Sequence, residues 1–171
     1  MPLPILDEAK AWDRSFIEPS KYVYGTGNVK SGFTGLRDVG RFLARILADP
    51  RTLNRYVFCW SEELTQNEIM ALAREVSGKD FDPIPVRLSL SRPVHVTHIS
   101  LQITEAELLA IPREGVSQVY FEYMYSLWIR GDSVIANAVK PEYGSALDAQ
   151  KLYPDLKLQS MREFTIEWYK P

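Results

Sequence analysis

Gly35-Leu36-Arg37-Asp38-Val39-Gly40-Arg41-Phe42-Leu43-Ala44-Arg45-Ile46-Leu47-Ala48-Asp49-Pro50-Arg51-Thr52-Leu53-Asn54-Arg55-Tyr56-Val57-Phe58-Cys59-Trp60 is the stretch from which the fold is read. Val39, Phe42, Leu43, Ile46 and Leu47 recur at three- and four-residue spacing, which predicts an amphipathic helix. Thr34 or Asp38 is placed to cap its start. Ala48-Asp49-Pro50 ends it, because proline cannot donate the next backbone hydrogen bond. Asn54 to Trp60 then reads as a strand, with Tyr56, Phe58 and Trp60 on one face and Val57 and Cys59 on the other. Both faces are apolar, as in a strand covered on two sides.

Upstream, Lys21–Tyr24 and Val29–Phe33 are strand candidates around the turn signal Gly25-Thr26-Gly27-Asn28, and a small hairpin is expected. Residues 1–20 read as a peripheral lead-in, leaving 21–171 as the folded domain. Downstream, Thr65 and Glu68 have capping-box spacing before the stripe Ile69, Leu72 and Val76, and Gly78 ends that helix. Residues 82–100 alternate and read as extended. Thr104 and Glu107 repeat the capping-box spacing, and Pro112 stops the short helix that follows. Val116 to Ile129 is the most apolar helix candidate. Asp132 to Ala138 either extends it or forms a separate turn, and Leu147 to Tyr153 is helix or turn. Ser160 and Glu163 open the last helix. The elements predict an α+β fold, a small mixed sheet packed with several helices.

A chain of 171 residues is long enough to bury a core without staples. Its 20 Lys plus Arg against 22 Asp plus Glu give no electrostatic case for a nucleic-acid surface. One cysteine and two histidines are too few for an all-His/Cys structural zinc site within one chain. No apolar run reaches the roughly 20 residues that a membrane helix needs. Met1–Trp12 has neither the basic region nor the apolar core of a signal peptide. A cytoplasmic protein with no membrane or nucleic-acid partner is the expectation.

Gly35 to Asn54, Tyr56-Val57-Phe58, Leu64 to Ile69 and Gly78-Lys79 resemble the second half of NmrA-like, isoflavone-reductase-like proteins. Val139-Lys140-Pro141-Glu142-Tyr143 and Lys151-Leu152-Tyr153-Pro154-Asp155 extend the resemblance over residues 21–170. It implies atypical short-chain reductases considerably longer than this chain. Their first half is a Rossmann domain that carries a glycine-rich fingerprint for NAD(P)H and the catalytic lysine; their second half closes over a small, often aromatic, substrate. Neither Gly-x-Gly-x-x-Gly nor Gly-x-x-Gly-x-x-Gly occurs here, and no periodic helix begins at Asn28 after Gly25-Thr26-Gly27. A pyrophosphate therefore lacks its usual backbone cradle, and no cofactor-binding residue is assigned. Nor is the lysine's role given to Lys21 or Lys30. Such a half-fold leaves apolar surface open, most clearly on Tyr56 to Trp60, and the expectation is either rearrangement around a new core or, preferred, a homodimer that covers it.

Tyr120, Tyr123, Met124, Tyr125, Trp128 and Tyr143 are candidates for an aromatic wall around an apolar or aromatic small molecule; each also reads as an ordinary core or interface residue. His98, His95 and Asp38 are the candidate acid–base groups. The two histidines, three apart on a strand, face opposite sides, which weakens any shared metal site. Asp38 equally suits a helix-start role, and Arg37 is either a ligand contact or one half of an ion pair. Asp13, Glu18, Glu122 and Asp132 are further acids without a spacing that requires chemistry. Cys59 reads as buried. The function expected is a cofactor-independent isomerase, cyclase or lyase working by general acid–base chemistry on an apolar metabolite. The alternatives are a non-enzymatic ligand-binding or interaction module, and a truncated NAD(P)H-dependent reductase needing a Rossmann partner.

Overall fold

The computed structural model describes residues 23–78, 102–110 and 115–169. The 1–20 lead-in and the 82–100 run, with His95 and His98, lie outside the described residues. Tyr120 is described through its backbone alone.

The fold is α+β, with short sheets set among several packed helices. Helix α1 spans Leu36–Leu47, but neither candidate cap is used. Gly35 holds the N-cap position without a side-chain bond. The Thr34 hydroxyl instead donates across to the Cys59 carbonyl at 2.9 Å, and Asp38 lies inside the first turn. A turn of 3₁₀ helix, Pro50–Thr52, follows, with the Asp49 carboxylate accepting from the Arg51 N–H at 2.9 Å.

The expected hairpin does not form. Strand β1 (Val23–Tyr24) pairs in parallel with β5 (Gln102–Ile103), whereas β2 (Lys30–Phe33) pairs antiparallel with β4 (Glu62–Thr65). The intervening turn explains the separation. Gly25 and Gly27 have φ of 59° and 70°, a region glycine enters without steric cost. The Asn67 amide fills the turn, donating to the Thr26 carbonyl at 3.1 Å and to Asn28 Oδ1 at 2.9 Å. The Tyr24 N–H is taken by Gln66 Oε1 at 2.9 Å.

The strand expected over Asn54–Trp60 shrinks to β3 (Val57–Phe58), parallel to β6 (Leu147–Asp148). Asn54 is left-handed at φ 56°, and beyond Phe58 the chain turns away to place the Ser61 N–H on the Phe33 carbonyl at 2.7 Å. Tyr56 is exposed, so the segment is not apolar-covered on both faces.

The remaining helices follow their local signals. In α2 (Gln66–Ser77) the Thr65 hydroxyl accepts from the Glu68 N–H at 3.1 Å, and the Glu68 carboxylate accepts from the Thr65 N–H at 2.8 Å. The same reciprocal box opens α3 (Glu105–Ala110) through Thr104 and Glu107, and α7 (Met161–Tyr169) through Ser160 and Glu163. Helix α4 (Gly115–Tyr125) runs into one π-helical turn, Ser126–Arg130, closed by Gly131 at φ 73°. Ile135–Ala138 is a separate helix, α5, and Ala149–Leu152 forms α6 directly after β6.

Two cores result. Tyr24, Ile103, Leu108, Met124, Leu127 and Trp128 form one. Phe42, Ala149 and Tyr153 form the other, against Ile46, Val57 and Cys59. Burial pushes the Cys59 thiol pKa up, which favours the protonated form over a nucleophilic thiolate.

Candidate functional site

The end of α4 sets the geometry of the aromatic region. Met124 and Trp128, four residues apart and therefore on one helix face, both enter the first core, where Trp128 meets Phe33 at 6.0 Å between ring centroids. Tyr123, one residue from Met124, points to solvent at 53% exposure. Tyr125 donates its hydroxyl to Glu105 Oε1 at 2.9 Å. Tyr143 lies on the 3₁₀ turn Pro141–Tyr143 and is exposed. The candidate residues therefore divide between a packed interior and the surface.

The π turn makes a polar corner beside them. Widening a helix by one residue per turn re-aims its side chains, and such turns recur at functional sites. Ser126 and Arg130, at its two ends, converge on Asp132. Asp132 Oδ2 accepts from Ser126 Oγ at 2.6 Å and from Arg130 Nε at 2.6 Å, and Arg130 Nη2 is bonded to the same oxygen. Oδ1 accepts from the Tyr143 hydroxyl at 3.0 Å. The Arg130 guanidinium, helped by the Ser126 and Tyr143 hydroxyls, holds the Asp132 carboxyl at about 2, below its ordinary 3.8. Donation to Asp132, with burial added, raises the Tyr143 phenol. At neutral pH the corner therefore presents a fixed carboxylate, a permanent cation and a protonated phenol. It can orient a carbonyl or hydroxyl by hydrogen bonding, while its carboxylate has little basicity. The sequence contained Asp132 without a reason to single it out; the local clue was Arg130-Gly131-Asp132 directly after an apolar helix.

Asp38 is fully buried and faces donors from three segments. Oδ1 accepts from Arg41 Nη1, and Oδ2 from the Ser61 hydroxyl and the Gln159 N–H, each at 2.9 Å. Arg41 also donates to the Lys157 carbonyl at 2.8 Å. The carboxylate thus ties α1 to the chain before β4 and to the chain before α7. Arg37, exposed on the same helix, pairs with Glu167 at 3.6 Å.

The described residues do not fit a dinucleotide. In the Gly25–Asn28 turn, the Gly25 N–H donates to Ile103 O, the Gly27 N–H to Tyr24 O and the Asn28 N–H to Thr26 Oγ1. A Cβ on Gly27 would lie 2.5 Å from Val23 Cγ1 and 2.6 Å from Asn67 Oδ1. The turn is filled by the protein's own atoms, leaving no cradle for pyrophosphate. In the first turn of α1 the Asp38 carboxylate adds a negative charge, which disfavours a phosphate at that helix start. Among the described residues no group of three or more His, Cys, Asp and Glu is placed to hold a metal ion. No helix among them is long and apolar enough to cross a membrane.

No family model matches the chain. It is 30% identical over 144 residues to the asnovolin J 5′,6′-dehydrogenase of Aspergillus novofumigatus, an alignment covering 82% of this chain and 41% of that protein. Among solved structures, isoflavone reductase matches with a TM-score of 0.64 and 27% identity, over 86% of this chain and 42% of that one. The leucoanthocyanidin reductase–NADPH complex of Vitis vinifera shares the fold at a TM-score of 0.62 and 24% identity, over 86% and 45%. The chain is homologous to isoflavone-reductase-like proteins and spans about 40% of the length of those it matches. These relatives overturn the expectation of a cofactor-independent isomerase, cyclase or lyase: the matches at 30% and 27% identity are a dehydrogenase and an isoflavone reductase.

Proposed function

We propose that the chain is the substrate-side, C-terminal portion of an NAD(P)H-dependent reductase acting on an apolar or aromatic small molecule. The observation that carries this reading is the redox chemistry named in the relatives, which act on asnovolin J, isoflavone and leucoanthocyanidin by their names. When bound, the nicotinamide supplies or accepts hydride; this chain's residues position the substrate and exclude water. The polar corner of Arg130, Asp132 and Tyr143 is the proposed hydrogen-bonding rim. The nucleotide is held by polypeptide other than the described residues, whose one glycine-rich turn is filled. The parallel pairs β1·β5 and β3·β6 support this division. Parallel pairing is characteristic of larger sheets covered by helices on both faces, and two-residue ribbons are natural margins of such a sheet.

The test joins this chain to the nucleotide-binding portion of the Aspergillus dehydrogenase and follows NADP⁺ reduction with that enzyme's substrate and NADPH oxidation with isoflavones. The proposal expects turnover in the joined protein and none from the chain alone. A joined protein that is folded by circular dichroism and binds NADPH, yet turns over no substrate, would contradict the reductase reading.

A further inference from the structure

Helix α1 is seated with much of its apolar surface outward. Leu36, Val39, Leu43 and Leu47 are 91%, 44%, 52% and 79% exposed. Gly40 and Ala44 lie on the same side and are exposed as well. At 3.6 residues per turn these six positions cover roughly 140° of the helix circumference without a charge. The buried side carries Asp38 and Phe42. The remaining ridge is Arg37, Arg41 and Arg45, paired within the chain to Glu167, Asp38 and Asp155. The arginines are thus held off the apolar arc.

The arc has a waist. Gly40 and Ala44 leave a depression between the large ends, and a Cβ built on Gly40 meets nothing within 4 Å. A shape of that kind receives the side-chain knobs of another helix. It is also self-complementary. With two copies of α1 antiparallel about a two-fold axis between positions 41 and 42, Leu36 faces the partner's Leu47. Val39 then faces the partner's Ala44, and Leu43 enters the depression over the partner's Gly40. Every large residue meets a small one, except at the ends, where leucines meet. An isologous patch must match itself in this way. The four large side chains expose roughly 500 Å² per copy, so pairing removes at most about 1,000 Å² from these side chains, at the threshold for specific association.

We propose that the outward face of α1 is a homodimer interface in which a second copy packs its own α1 antiparallel across Gly40 and Leu43. This does not rest on the reductase reading.

The test is sedimentation equilibrium of the full chain from about 1 to about 100 μM. The wild type is expected to dimerise in that range. Leu43→Glu and Gly40→Leu are each expected to weaken association about 100-fold or more, the first by burying a charge and the second by filling the depression. Both sites are exposed, so far-UV circular dichroism should remain unchanged. A chain carrying Gly40→Cys and Leu43→Cys together should form a covalent dimer on mild oxidation, and one carrying Arg51→Cys alone should not. A monomer throughout the range overturns the proposal and leaves the face to the nucleotide-binding portion. A dimer insensitive to both substitutions overturns it as well, by placing the interface elsewhere.

Discussion

Asp38 accepts three hydrogen bonds and is inaccessible to solvent, and the consequence is measurable at the scale of one residue. Asp38→Ala leaves the Ser61 hydroxyl and the Gln159 N–H without their acceptor and should cost about 3 kcal/mol or more of stability in urea unfolding. Ser31 is the opposite case. Its hydroxyl is buried without a hydrogen-bond partner, so Ser31→Ala removes a desolvated group and should be neutral or raise stability by up to about 1 kcal/mol. Asp132 gives a pH signature. Its folded carboxyl lies below the ordinary value, so the stability it contributes is complete above about 4 and is lost as pH falls towards 2. Asp132→Asn should flatten the acid limb of a plot of urea midpoint against pH in that window and leave its shape near neutrality unchanged. An unaltered acid limb would show that the Arg130–Asp132 contact is not held in solution.

At the scale of elements, local chemistry was legible and long-range pairing was not. Thr65 with Glu68, Thr104 with Glu107 and Ser160 with Glu163 each place both halves of a capping box within four residues, and all three form as read. Thr65→Ala should accordingly cost about 1 kcal/mol, measured as a fall in the thermal midpoint. The β1–β2 hairpin was misread because the turn signal at Gly25–Asn28 is real while the partners of both strands lie far along the sequence. Nothing local announces that Asn67 enters the turn. That wedge makes Gly27 specific: Gly27→Ala meets Val23 and Asn67 and must hold φ at 70°. It should destabilise by about 1–3 kcal/mol, and shortening Asn67 to alanine as well should relieve the steric share only. The π turn was equally hidden, because an apolar run through Ile129 looks the same whether its last turn is α or π.

At the scale of the whole molecule, the exposed apolar side chains among the described residues include Tyr56, as the open strand pattern implied, but the longest run of them lies on α1, which that pattern did not single out. Amphipathic spacing shows that a helix has an apolar face but not which part of that face the neighbouring elements cover. Here Phe42 and Ile46 are taken into the second core while Leu36, Leu43 and Leu47 are left out. The aromatic candidates divide for a related reason: periodicity placed Met124 and Trp128 together but carried no information on whether that face met a cavity or a core. Redox chemistry was the reading the bare sequence ranked below acid–base catalysis, because the missing glycine fingerprint weighed more than the identity of the matched half. The direct measurement of the division of labour is calorimetric titration of NADPH into the purified 171-residue chain. The account predicts no saturable binding, since the Gly25–Asn28 turn is filled and Asp38 sets a negative charge in the first turn of α1. Stoichiometric, saturable NADPH binding by this chain alone would contradict it.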